Sequence, residues 1–377
     1  MKSLFTQKTY LLVSVLFLLV SSSFAATFYV GTCHSPSYST ISAAVAAAPP
    51  NSTVDVCPGV YPEQVFIYQP LTLQGIKSGS ADRARIVVPI SVGGGINWTK
   101  VPDPDGGPTL VAPQIFVTSP TGPVKISNLT IDASGETAAP ACNTSGFWFT
   151  TAILLENSSA TLKGVNTVGQ GKNSGCGVGI WDFVAGAAPA KLSLTNSSLQ
   201  DAAYIGLYLE GAALSVSVTG NVLDLASNEY GILIGDASGT VSSNFLSAPA
   251  AGLVGDSGSG GSITYSSNVL QGTAGCAAVG GQGMLLQRAA QVTGNKIDGC
   301  AAGIVLSPLG TYAVSIKNNL IVNSSFVGVE LACDSNVTLA GNTVNNAPVG
   351  VDSAPSAVSA TQITFDNVDT LATGTCP

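Results

Sequence analysis

Charge is what this chain has least of: aspartate, glutamate, lysine and arginine together make 9% of its 377 residues. The 13 basic residues are scattered singly under a formal net charge of −8, so no basic stripe exists to neutralise phosphate. Nucleic acid and anionic membrane surfaces are thereby excluded as partners. No Cys-x-x-Cys pair occurs and His34 is the single histidine, which removes the usual zinc-ligand patterns. Beyond residue 26 no apolar run is long enough to span a bilayer. The chain is instead 45% hydrophobic with 43 glycines, apolar enough for a substantial core under an uncharged surface, which a disordered chain would not have.

The N-terminus has the layout of an export signal. Lys2 and Lys8 form a basic region, Tyr10 to Val20 an apolar one, and Ser23-Phe24-Ala25 a small-x-small cleavage site. Residues 1–26 read as a signal peptide, an N-terminal anchor being the alternative. No C-terminal anchor pattern follows, so the expected product has no membrane association after signal removal and is secreted, periplasmic or held at the extracellular surface. Eight cysteines, an even number, fit such a disulfide-permissive compartment. Cys33 with Cys57 would tie the N-terminal region, and Cys276 with Cys300 would join neighbouring repeats; by proximity the remaining pairs are Cys142 with Cys176 and Cys333 with Cys376.

A repeat dominates the rest of the chain. Asn196, Asn221, Asn244, Asn268, Asn295, Asn319 and Asn342 follow one another at intervals of 25, 23, 24, 27, 24 and 23 residues. Each is followed by a glycine and an aliphatic residue: Gly206-Leu207, Gly231-Ile232, Gly252-Leu253, Gly283-Met284, Gly303-Ile304, Gly328-Val329 and Gly350-Val351. A period of this length marks a stacked-repeat architecture, which can use the whole chain in one elongated body. In each unit we expect a strand after the glycine, a second strand ending at the asparagine and a short third strand.

The region from Thr27 to Gly75 differs. Phe28 to Val30 reads as a strand, and Ser39 or Thr40 can cap a helix carrying Ile41, Ala44, Val45 and Ala48 on one face before Pro49-Pro50 stops it. Strand-like runs at Val54–Val56, Val65–Ile67 and Leu71–Leu73 follow. A helix here would close a strand stack whose open end exposes unpaired backbone and apolar side chains. Between Val87 and Ser145 the period breaks. Gly93 to Gly95, Pro102 to Pro108 and Pro113 suggest one long loop, Ala133 to Ser145 a second, and Val124, Ile126, Leu129 and Ile131 keep the repeat alternation between them. Such loops on a rigid stack can wall a cleft.

The run Tyr38-Ser-Thr-Ile-Ser-Ala-Ala-Val45, with Cys57-Pro-Gly-Val-Tyr-Pro-Glu-Gln-Val65 and Pro70-Leu-Thr-Leu-Gln-Gly75, resembles the N-terminal region of right-handed parallel β-helix proteins of the pectin-lyase-like superfamily. Pectin methylesterases and periplasmic copper-processing β-helix proteins open similarly, and the Asn/Gly unit is similar to the superfamily's coil repeat. The implied fold is all-β: a single-stranded right-handed parallel β-helix with an N-terminal capping helix. Residues 27–377 would form it, with the cap and first coils at 27–75, early coils with long loops at 87–145 and regular coils at 146–370. The same resemblance places asparagine at the tight turn between the second and third strands, stacked there as a hydrogen-bonded ladder. It implies no single activity, because the superfamily holds lyases, hydrolases, esterases, epimerases and non-catalytic proteins.

Function then falls to the outward face of the first strand, where enzymes of the superfamily keep their active sites. Alternation puts Ile153, Ile180, Leu207, Ile232, Leu253, Met284 and Ile304 inward. Glu156, Trp181, Phe183, Tyr208, Leu233, Glu210, Val254, Asp256, Leu285 and Gln287 then face outward; Asp182 breaks the inward pattern, and Asp236 and Arg288 fall at the following turn. Aromatic faces beside carboxylates suit a neutral or weakly basic sugar chain. Trp181, Phe183, Tyr208 and Arg288 are the candidate substrate-binding residues, and Glu156, Asp182, Glu210 and Asp256 the candidate catalytic ones. Two coils of separation is about 9.5 Å, so Glu156 with Glu210, or Glu210 with Asp256, approaches the roughly 6.5–9.5 Å spacing of inverting glycosidases. Calcium between stacked carboxylates is compatible with the same residues. Gly179-Ile-Trp-Asp-Phe-Val-Ala-Gly186 resembles the segment of pectin methylesterases that holds their nucleophilic aspartate, which implies that role for Asp182, with Gln200-Asp201 similar to the partner acid. The order of the two segments is reversed here and no Arg-Pro-Trp-like segment follows. The expected protein is a monomer that binds polysaccharide along this groove, as a hydrolase or lyase, as a carbohydrate esterase, or as a non-catalytic surface, adhesion or structural protein.

Overall fold

The computed structural model describes residues 25–76, 83–89, 99–102, 108–118, 121–136, 148–172, 175–225, 230–248, 250–256, 261–307, 312–331, 336–354 and 363–375. All but the last two residues of the signal-peptide segment lie outside these, as do most of both proposed loops. The chain winds as a right-handed parallel β-helix with three stacks of strands. One stack is the 12-stranded sheet from Thr27–Val30 through Ser52–Val56 and Leu71–Gly75 to Asn336–Ala340; these are the second strands of the coils. The other two stacks merge in a 23-stranded sheet through the long strands Asn342–Ala354 and Ile363–Thr375. First strands include Trp148–Glu156, Gly177–Phe183, Ile205–Glu210 and Tyr230–Ile234; third strands include Asn166–Val168, Ser198–Gln200 and Val222–Asp224. Among the described residues the one antiparallel pairing joins Thr99–Pro102 to Pro108–Val111.

The N-terminal end is closed by the helix Ile41–Ala47, whose cap Thr40 accepts from the Ala43 N–H. The Glu63 carboxylate adds a second cap that the sequence did not disclose, accepting from the N–H groups of Ile41 and Ser42, both at 2.8 Å. The helix inserts Ile41, Ala44 and Val45 into the core, covering the apolar end of the stack. Strands occupy the runs around Val54, Val65 and Leu71 as expected, and a further one, Gly59–Pro62, pairs with Ala84–Val87 although it begins at Gly59 and ends at Pro62. Pro113, read as a loop residue, stands inside the strand Pro108–Thr118. The pairing register there passes from Thr151↔Pro113 to Ile153↔Ile115, so the proline sits beside a bulge, one of the few strand positions where its missing N–H is tolerated.

That bulge repeats up the stack and explains the glycine period. Register runs Val178↔Ile205 then Ile180↔Leu207, and Ile205↔Tyr230 then Leu207↔Ile232, skipping Gly179, Gly206 and Gly231 in turn. None of these glycines has a positive φ; their reason is crowding. A Cβ on Gly179 would lie 2.3 Å from the carbonyl oxygen of Gly206, on Gly231 2.4 Å from that of Gly252, and on Gly303 2.5 Å from that of Gly328. Gly231→Ala is accordingly expected to cost roughly 1–3 kcal/mol by overpacking, read as a lowered urea midpoint with the slope unchanged. Gly235→Ala, whose nearest neighbour would be the flexible Glu210 side chain at 3.4 Å, is the control that should stay near wild type.

Inside the coils, Ile153, Ile180, Leu207, Ile232, Leu253, Met284 and Ile304 form one register column, and all are fully buried. At the turn between second and third strands the asparagines form the ladder. Each amide Nδ2 donates to the Oδ1 of the next, from Asn221 to Asn244, Asn268, Asn295, Asn319 and Asn342, at 2.9 to 3.0 Å. The second amide proton goes to a strand carbonyl, for example Asn268 to Val241 O at 2.9 Å. Asn196 does not belong to this column. The Ser197 N–H meets Asn221 Oδ1 at 2.9 Å, so Ser197 holds the first rung. Asn196 instead occupies the exposed left-handed position before it, at φ 49°, which asparagine tolerates better than most residues. Counted from Ser197 instead of Asn196, the first interval is 24 residues.

Disulfides join Cys33 to Cys57 across the N-terminal region and Cys276 to Cys300, one repeat apart, the two pairs named from the sequence. Cys176 is also disulfide-bonded, while Cys142, Cys333 and Cys376 lie outside the described residues. Among the described residues no helix is long and apolar enough to cross a membrane.

Candidate functional site

A groove of about 410 Å³ lies over the outward face of the first-strand stack. Register fixes its floor. Leu154, Trp181, Tyr208, Leu233, Val254 and Leu285 follow one another on successive rungs, and beside them runs Glu156, Phe183 and Glu210. The N–H groups of Gly235, Asp256 and Gln287 continue the second column by bonding to the carbonyls of Leu209, Ile234 and Gly255. Trp181, Tyr208, Asp256 and Gln287 all line the groove, together with Thr109, Phe149, Tyr204 and Tyr230. The aromatic rings touch in sequence. Trp181 stacks on Tyr208 at 5.1 Å between centroids, Phe149 meets the edge of Trp181 at 5.8 Å, and Tyr204 meets Tyr230 at 5.9 Å. A hollow of comparable volume, 470 Å³, over the second strands among Ser193, Ser215, Ser217 and Lys191 has neither an aromatic residue nor a carboxylate.

Tyr230, Ile205 and Val178 line the groove because of the glycine bulge. Period-two alternation counted back from Ile180 or Ile232 would turn them inward; the break in pairing at Gly179, Gly206 and Gly231, shared by neighbouring strands, reverses the face of everything before it. They pack in an outer apolar cluster with Phe149, Trp181 and Phe183. The sequence signal was present in the repeated glycine, but its steric consequence was not.

The site residues inferred from sequence do not all meet. Trp181 and Phe183, expected as open stacking faces, are only 3% and 6% exposed, so Trp181 is a floor under Tyr208 and not a free platform. Its indole Nε1 has no acceptor among the described residues. Glu156 sits two rungs from Glu210 with Phe183 between, and its carboxylate accepts from Thr118 Oγ1 at 2.9 Å. Glu210 is nearly buried, and Asp256 is the carboxylate that lines the groove. Asp182 stands in register with Leu155 and Leu209, on the core side of the sheet, and is wholly buried. Neither of its oxygens has a partner among the described residues, and burial alone pushes its carboxyl well above the ordinary aspartate range. It cannot reach a substrate in the groove, which removes the nucleophile that the esterase resemblance implied. Arg288 is 2% exposed, does not line the groove, and donates to the backbone oxygens of Asp236 and Gly261. Burial lowers its pKa against the opposing charges of Tyr265, Asp236 and Asp256. Its role is to tie turns together, not to greet a ligand. Glu330 and Asp352, unremarked in the sequence, are paired in register farther along the Trp181 column; burial first and the charge of Asp352 second raise the Glu330 carboxyl.

Among the described residues no three His, Cys, Asp or Glu side chains converge, and the acids of the groove column stand two rungs apart, too far for shared calcium ligation at 2.3–2.6 Å.

A family model described as a right handed beta helix region matches residues 183–344. No curated protein matches the chain in sequence. Among solved structures, a lacto-N-biosidase from Eubacterium ramulus superposes with a TM-score of 0.58 at 10% identity, covering 93% of this chain and 67% of that one. A DFA-IIIase from Arthrobacter chlorophenolicus gives 0.46 at 13% identity over 90% and 98% of the two chains. The A-module of a mannuronan C-5 epimerase from Azotobacter vinelandii gives 0.41 at 14% identity over 89% and 94%. At these identities the likeness is one of fold alone.

Proposed function

We propose that this right-handed parallel β-helix protein is an exported carbohydrate-binding protein that holds a glycan in the groove over its first strands. The observation that carries this is the ring set Phe149, Trp181, Tyr204, Tyr208 and Tyr230 converging on one groove with Asp256 and Gln287 at its side. Aromatic faces pack against the C–H faces of sugar rings, and carboxylate and amide oxygens accept from hydroxyls. The shared fold of a lacto-N-biosidase is in keeping with this reading. Tyr208→Ala should weaken glycan retention about tenfold or more, as loss of a central aromatic contact does, while leaving the unfolding midpoint within the range of a surface change. Equal retention by wild type and Tyr208→Ala in affinity electrophoresis would place the ligand elsewhere.

Hydrolysis is the second reading, favoured by one observation. Glu210 and Asp256 share a column two rungs apart, about 9.5 Å along the stack, at the upper edge of the inverting spacing. Incubation with a polysaccharide panel, scored for reducing ends and unsaturated uronates, separates the readings. Reducing ends that disappear in both Glu210→Gln and Asp256→Asn support hydrolysis; retention without any product leaves a binding protein.

A further inference from the structure

Resting on that reading, we infer that the groove selects the end of an uncharged glycan and rejects uronate polymers. The charge layout supports the first half. No first strand from Pro108–Thr118 to Asn342–Ala354 contains lysine or arginine, while the same face carries Glu156, Glu210, Asp256, Glu330 and Asp352. Among the described lysines, Lys125, Lys163, Lys191 and Lys317 stand on second strands, Lys296 on a third strand, Lys172 in a turn and Lys100 on Thr99–Pro102, opposite Leu110. Arg288, the base nearest in sequence to the groove lining, is buried against backbone carbonyls. A carboxylate on each sugar would enter a negative, partly desolvated channel whose described first strands carry no cation to meet it, and like charges in such a setting cost affinity steeply. Hydroxyl groups meet acceptors in Asp256 and Gln287 instead.

The burial gradient supports the second half. Along one column, Phe116, Leu154 and Trp181 are all buried; Tyr208 and Leu233 on the next rungs are half-exposed, Val254 is buried again and Leu285 is half-exposed. Thr109 and Phe149, themselves buried, stand at the same end. The floor of the groove is therefore covered without a break on the N-terminal side of Tyr208, and half-exposed rungs begin only there. At 410 Å³ it has the size of a pocket for a small ligand, not of a channel that a long chain crosses.

Titration calorimetry with matched pairs tests both halves. Oligogalacturonates and oligomannuronates are compared with the same oligomers after carboxyl reduction to neutral hexose, each from trimer to octamer, alongside neutral gluco-, xylo-, manno- and N-acetylated chito-oligosaccharides. We expect a neutral oligomer to bind at least about tenfold tighter than its uronate partner, and affinity to level off at short length. Asp256→Lys should narrow the gap between the members of a pair. Tighter binding of the uronate members overturns the neutral preference while keeping the glycan reading. Affinity that climbs steadily to the octamer overturns the chain-end assignment. Binding of no member at all removes the glycan reading itself.

Discussion

Asn268→Ala is expected to destabilise the protein by about 3–5 kcal/mol, from the cost of about 1–3 kcal/mol for each buried polar group left without its partner. The side chain of Asn268 donates to Val241 O and Asn295 Oδ1, and its own Oδ1 accepts from both the N–H and the Nδ2 of Asn244, at 2.9 to 3.1 Å. Alanine removes all four bonds and strands groups that no water reaches, since Asn244, Asn268 and Asn295 are buried. Because each coil leans only on its neighbours, the damage should be local. Hydrogen exchange should rise first at the turns of Asn244, Asn268 and Asn295, and the urea midpoint should fall. Asn196→Gly, one position away from the ladder, exposed and at φ 49° where glycine is unstrained, should stay within about 0.5 kcal/mol of wild type. Comparable losses from the two substitutions would mean that stacking of the strands, and not the amide ladder, holds the turns.

Asp182→Leu should act in the opposite direction, stabilising the protein by about 1–3 kcal/mol at neutral pH by removing an unpartnered polar group from the core. Asp182 lies in register between Leu155 and Leu209, so leucine continues an existing aliphatic column. The gain must depend on pH. Burial raises the folded carboxyl well above its ordinary value of 3.8, so above that value the unfolded chain ionises while the folded one keeps its proton. The folded state then binds more protons, and stability falls as pH rises. What Asp182 permits is fully present below the ordinary value and is lost as pH climbs toward the raised one. Thermal midpoints of wild type and Asp182→Leu should therefore lie closest in acid and diverge toward neutrality; parallel profiles from pH 4 to 8 would show that the carboxyl is solvated or paired in the fold.

The two cases mark how far the chain could be read in advance. Ladder and inward column were legible because every coil repeats the same contact, so the constraint is written seven times over in residues such as Leu207, Ile232 and Asn244. Even there a slip of one residue went unseen, since Asn196 and Ser197 exchange roles at a turn where both residue types are at home. Asp182 was legible as a break in the inward pattern, but an aspartate in a strand carries no mark of whether it faces a cleft or a core. The aromatic groove was half visible. Trp181 and Tyr208 follow from alternation, whereas Tyr230 is aimed outward by a glycine bulge that reverses alternation, and Phe149 and Tyr204 fall outside the repeat.

By itself, the sequence determined the three-strand coil, its period, the inner aliphatic column, the capping helix and the disulfides Cys33–Cys57 and Cys276–Cys300, because those depend on contacts between residues one repeat apart. Only the tertiary structure decided that Trp181 is covered, that Arg288 is spent on backbone carbonyls, and that Asp182 is sealed in the core. Those outcomes turn on side-chain direction at bulges and on segments packed over the early coils, which no local pattern encodes.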